Sequence, residues 1–109
     1  MKNIEMIQKL SVLHCVYQTI ASADGSIVEE RDNVAIEFAL AELGLSSDYY
    51  WNSGIQMHPN DCFIHVSSLS TEDKLLFRNL LLRIAEMGGN KLFRINCAHH
   101  IIQLANCQS

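Results

Sequence analysis

The chain has 109 residues, 49% of them apolar, and a formal net charge of -4 at pH 7. That length suits one domain with a single core, residues 1–109, and is too short for two. The Lys and Arg residues gather into no basic stripe of the kind that phosphate neutralisation needs, which argues against nucleic acid as a partner. The start Met1-Lys2-Asn3-Ile4-Glu5 offers neither a secretory apolar region nor a spanning segment, so the expectation is a cytoplasmic protein without membrane insertion.

From the amino terminus, Ile4, Ile7, Leu10, Leu13, Tyr17 and Ile20 step by three or four residues, which predicts a helix with Gln8, Lys9, Gln18 and Thr19 on its wet side. It ends at an Asp24-Gly25 turn, where glycine supplies positive φ, and Ser26-Ile27-Val28-Glu29 matches a capping box that opens a second helix over 28–43. That helix sets Val34, Phe38, Ala41 and Leu45 on one line and Ile36, Leu40 and Leu43 on another, with Gly44 as its stop, so a central position is expected.

Between Ser46 and Leu69 the pattern weakens and Gly54 and Pro59 interrupt it, which predicts two short helices. Ser46-Ser47-Asp48 could cap one carrying Tyr49, Tyr50 and Trp51, and Asn60-Asp61 could cap another through Cys62 to Val66, a run that could also be a short strand. Ser70-Thr71-Glu72-Asp73 then opens a long helix with Phe77, Leu80, Leu81, Ile84 and Met87 as its buried stripe, ending at Gly88-Gly89. A last helix follows from about Lys91 to Cys107. The expected architecture is an all-α, single-domain helical bundle of two pseudo-repeated helical hairpins joined by short helices.

The run Ile20-Ala21-Ser22-Ala23-Asp24-Gly25-Ser26-Ile27 with acids following, the helix opening Leu69-Ser70-Thr71-Glu72-Asp73-Lys74, and the echo of the first turn in Ile84-Ala85-Glu86-Met87-Gly88-Gly89 carry a resemblance to a known family. Over nearly its whole length the chain resembles the TerB-like family of bacterial helical domains, named for a tellurite-resistance protein and also found ahead of J-domains in some membrane-anchored cochaperones. Members of that family repeat the Asp-Gly turn with a glutamate in the helix that follows, and the resemblance implies that such acids could hold a cation. Here the corresponding position is Arg31, flanked by Glu30 and Asp32, and the second turn reads Met87-Gly88-Gly89.

Read as chemistry, Asp24, Glu29, Glu30 and Asp32 are candidate ligands for a weakly held divalent cation, since hard cations need several convergent oxygens. An EF-hand frame fails, because Ile20 falls at its first ligand position and Arg31 at its last. Acids in the first turn of a helix are also expected simply from capping and the helix dipole. The acids of the first elbow face the opposite charge of Lys91 and Arg94 on the second, so the elbows could meet within a molecule, meet across a dimer, or stay as two solvated turns.

Four cysteines, Cys15, Cys62, Cys97 and Cys107, form no Cys-x-x-Cys pair, which fits reduced thiols used as small core hydrophobes. Cys97, His100 and Cys107 share a face of the last helix and offer a thiophilic metal or metalloid soft ligands, with His14-Cys15 the only further source; the alternative is that this face, with Leu104, packs on the core. Tyr49, Tyr50 and Trp51 form a candidate partner-binding patch, or roof the core. No Gly-x-Ser-x-Gly, phosphate loop or His-Glu-x-x-His nominates a catalytic residue. With the resemblance, these readings imply a non-enzymatic module, without a resident cofactor, that binds a protein partner or itself, a homodimer included, in a bacterial stress-response or envelope-associated system. The alternative is a small metal- or metalloid-binding protein that uses the acids near Asp24 or the thiol and imidazole groups near Cys97.

Overall fold

The computed structural model of the chain describes residues 1–21, 32–46, 57–87 and 91–107. Within them lie five helices and no strand: α1 (Met6–Ala21), α2 (Asp32–Leu43), α3 (Pro59–Ser67), α4 (Thr71–Met87) and α5 (Lys91–Leu104). The Asp24-Gly25 and Gly88-Gly89 elbows, the Ser26 capping box and the helix expected through Tyr49 lie outside the described residues. No helix among the described residues is long and apolar enough to cross a membrane.

The central element is α1, which packs against all four other helices, whereas α2 was expected in that place. The reason lies in how each helix treats its polar positions. From Ser11 to Ile20 every residue of α1 except Gln18 is buried, and the hydroxyls that would forbid this are satisfied locally: Ser11 Oγ donates to the Ile7 carbonyl at 2.7 Å and Thr19 Oγ1 to that of Cys15 at 3.0 Å. Thr19, expected on the wet side, is therefore interior. On α2 only the Ile36, Leu40 and Leu43 line is buried together with Ala35 and Ala39; Val34 is 63% exposed, and Phe38 and Leu45 are half-buried.

Helix termini follow local chemistry. Gly44 has φ of 67°, and the Leu45 amide donates back to the Leu40 carbonyl at 2.9 Å, the wrap that a left-handed residue after a helix permits. Asn106, φ 55°, does the same for α5, with the Cys107 amide on the Ile102 carbonyl at 2.9 Å, so the chain turns and delivers Cys107 into the core. The start of α3 differs from expectation: Pro59 occupies the first turn, where its missing N–H costs nothing, and His58 is the cap, its Nδ1 accepting from the Asn60 amide at 3.2 Å. The run through Cys62 and Val66 is helical, with those two residues buried and α3 laid against α1. At α4, Ser70 Oγ accepts from the Asp73 amide at 3.1 Å and lies 3.0 Å from Asp73 Oδ2, to which it donates. Phe77, Leu80, Leu81 and Ile84 are buried as the spacing predicts, with Met87 half-buried. One continuous apolar core joins all five helices.

Candidate functional site

Two places concentrate charge on this scaffold. The first is interior. Asp32 opens α2 and Arg94 sits in the first turn of α5; Arg94 Nη1 donates to Asp32 Oδ1 at 2.8 Å and Nη2 to Oδ2 at 3.4 Å, with both side chains under 5% exposed. The acid suits the positive end of the α2 dipole, and its charge offsets an arginine placed at the end of α5 where a cation is disfavoured. Arg94 Nε is the one buried side-chain nitrogen or oxygen among the described residues that finds no hydrogen-bond partner. Of the oppositely charged residues on the two elbows, this pair does meet within the molecule. Lys91 stays exposed. Asp32 thus carries its charge into an ion pair, while Asp24, Glu29 and Glu30, its companions as candidate cation ligands, lie outside the described residues, as do Tyr49, Tyr50 and Trp51.

The second place is a solvent-open cleft of about 750 Å³ where the first two turns of α4 meet the chain just after α5. It is lined by Thr71, Glu72, Lys74, Leu75 and Arg78 of α4 and by Asn106 and Cys107 of the chain after α5. Lys74 and Arg78 stand one turn apart on the same side of α4.

Around α1 the thiols form a third feature, of a different kind. Burial pushes Cys15 well above the ordinary thiol range, and the neighbouring thiols of Cys62, Cys107 and Cys97 add to the effect. Burial likewise raises Cys62 to about 11, partly offset by the Ser11 hydroxyl, and Cys107 to about 11, partly offset by Lys74. These three are protonated thiols at neutral pH, packed as apolar groups and poor nucleophiles. Cys97 is half-buried with Sγ 3.7 Å from the Gln18 carbonyl oxygen, His100 is exposed, and Cys107 is turned inward by Asn106. The face that these residues were expected to share with Leu104 is split: Cys97 and Cys107 pack on the core, whereas His100 and Leu104, the latter 50% exposed, do not, and the buried side of α5 is Arg94, Ala98, Ile101 and Ile102. Among the described residues no three His, Cys, Asp or Glu side chains converge as a metal ion would require.

Two features escaped the sequence reading. Lys74 and Arg78 bracket Leu75 at helical spacing, a visible signal that a stripe-based reading passes over because all three are off the apolar face. Leu92 and Phe93, adjacent at the start of α5, are 72% and 65% exposed, and their being off the buried face becomes visible only once Arg94 is seen to be interior. No family model, curated protein or solved structure matches the chain.

Proposed function

We propose that this chain is a non-enzymatic, TerB-like interaction module that acts by binding a protein, a second copy of itself included, in a bacterial stress-response or envelope-associated system. The observation that carries the reading is the exposed pair Leu92 and Phe93. Large apolar side chains held in water are the raw material of interface anchors. The next residue, Arg94, is tied to Asp32 in the interior, so the turn that presents the pair is already ordered and little further ordering is required on binding. Tyr49, Tyr50 and Trp51, outside the described residues, remain the aromatic partner-binding patch that the sequence offers. The finer architecture in this reading is the pair of pseudo-repeated hairpins, α1 with α2 and α4 with α5, and direct packing within each pair supports it.

Sedimentation velocity over a wide concentration range tests the surface. The expected result is a concentration-dependent dimer that the double substitution Leu92→Ser and Phe93→Ser abolishes while the melting midpoint stays near that of the unsubstituted chain. A monomer at every concentration, with the substitution changing nothing, would remove this surface from consideration as a self-association site. Melting of metal-stripped protein checks the alternative in parallel: a midpoint raised by Ca²⁺, Mg²⁺ or Mn²⁺ and lost in Asp24→Ala favours the acids, and one raised by Zn²⁺ alone favours the thiols near Cys97.

A further inference from the structure

We infer that the cleft between the first two turns of α4 and the chain after α5 binds a small amphiphilic monocarboxylate, with its head group on Lys74 and Arg78 and its apolar body along Leu75 and Cys107. The volume, about 750 Å³, falls within the range of sites that hold small organic ligands. Its chemistry is divided in the way such a ligand requires. The body of the cleft is apolar: Leu75 is 50% exposed although it belongs to no buried stripe, the stems of Lys74 and Arg78 add methylene groups, and Cys107 contributes an apolar thiol.

Charge selects the head group. Lys74 and Arg78 project from one wall a single helical turn apart, and neither has an ion-pair partner among the described residues. With Glu72 also in the lining, the described residues of the cleft carry one net positive charge. That balance suits a monoanion better than a dianionic phosphate, and a guanidinium recognises a carboxylate through two parallel donors. Thr71 and Asn106 supply further polar groups to the walls. The Cys107 thiol, raised to about 11 by burial, stays protonated near neutrality, so the site binds its ligand without covalent chemistry.

The proposal is independent of the Leu92 and Phe93 surface, which lies at the start of α5, whereas the cleft borders the chain beyond its other end. Isothermal titration calorimetry of the full chain with decanoate below its micelle concentration, decanol within its aqueous solubility, and acetate tests it directly. Decanoate should bind saturably at one site, and decanol, which keeps the body but lacks the charge, should bind about tenfold more weakly or worse. Acetate, which keeps the charge but lacks the body, should not bind measurably. The double substitution Lys74→Gln and Arg78→Gln should bring decanoate down to the level of decanol, and Leu75→Ser should weaken decanoate through the apolar wall alone. Amide chemical shifts at Asn106 and Leu75 should move on titration. Equal binding of decanoate and decanol, or decanoate binding that survives Lys74→Gln and Arg78→Gln unchanged, would overturn the assignment.

Discussion

Two arginines near the starts of neighbouring helices meet opposite fates in this protein. Arg94, in the first turn of α5, is buried and grips Asp32, whereas Arg78, in the second turn of α4, stays at the edge of a cleft with Lys74 beside it. The difference lies in what the fold places opposite each. The start of α2 brings a carboxylate to Arg94, and once both groups leave water the pair becomes part of the architecture, neutral as a unit and unavailable to a ligand. Around Arg78 the described lining of the cleft offers Asn106, the Cys107 thiol and a single acid, Glu72, against the two cations Lys74 and Arg78, so one positive charge remains for something from solution. A cation is structural or functional according to its partner, and its residue type does not decide.

The sharpest way to break this comparison is to remove one half of the buried pair. Arg94→Ala leaves the Asp32 carboxylate without its guanidinium in the interior and should cost roughly 3–5 kcal/mol in urea unfolding. Arg94→Met together with Asp32→Asn removes both charges and the unpartnered Nε, and should recover most of that loss. A single Arg94→Ala variant that unfolds like the unsubstituted chain would mean that the pair is solvated after all. Next in size is the core beneath it: Leu81→Ala, at a fully buried position, should cost about 2–5 kcal/mol. Phe38→Ala should cost less than Leu81→Ala, because Phe38 is only half-buried and packs its ring under Arg83, whose guanidinium carbon lies 5.2 Å from the ring centroid.

The α4 stripe and its Ser70 cap were legible in the sequence because period and cap report a helix's own residues. The centrality of α1 was not legible. Thr19 and Ser11 read as polar, and only the local hydroxyl bonds to carbonyls one turn back show that they can be buried. The Asp32 to Arg94 pair was legible as an electrostatic complement but not as a contact, since 62 residues separate the partners and only tertiary packing decides whether the elbows meet. His58 as a cap was hidden because histidine is an uncommon residue there, and the inward turn at Asn106 because asparagine tolerates the left-handed region without demanding it.

Alkaline titration separates the interior thiols from the exposed cations. Cys62 and Cys107 rise from 9.0 to about 11 on folding, so the unfolded chain loses these protons first. The stability associated with the protonated thiols is fully present below pH 9 and is lost as the pH climbs through about 11. Unfolding free energy measured between pH 8 and 11 should therefore fall more steeply in the unsubstituted chain than in Cys62→Ala or Cys107→Ala, even though each variant is less stable at pH 8. Parallel slopes would show that the thiols are not shielded from water as the packing around α1 requires.

The smallest expected effect bears most directly on what the cleft is for. Lys74→Gln and Arg78→Gln remove two cations that hold no ion pair among the described residues, so unfolding free energy at pH 7 should move by no more than about 0.5 kcal/mol. The sign is informative. Lys74 ends the first turn of α4, where the dipole disfavours positive charge, while Arg78 lies a turn beyond that influence, so neutralisation should be slightly stabilising through Lys74 if it registers at all. A clear loss of stability would instead mean that these side chains already serve the fold, as Arg94 does, and the contrast between the two arginines would collapse. Near-neutrality would mean that the fold makes no use of these two charges, which is the condition a ligand needs to find them free.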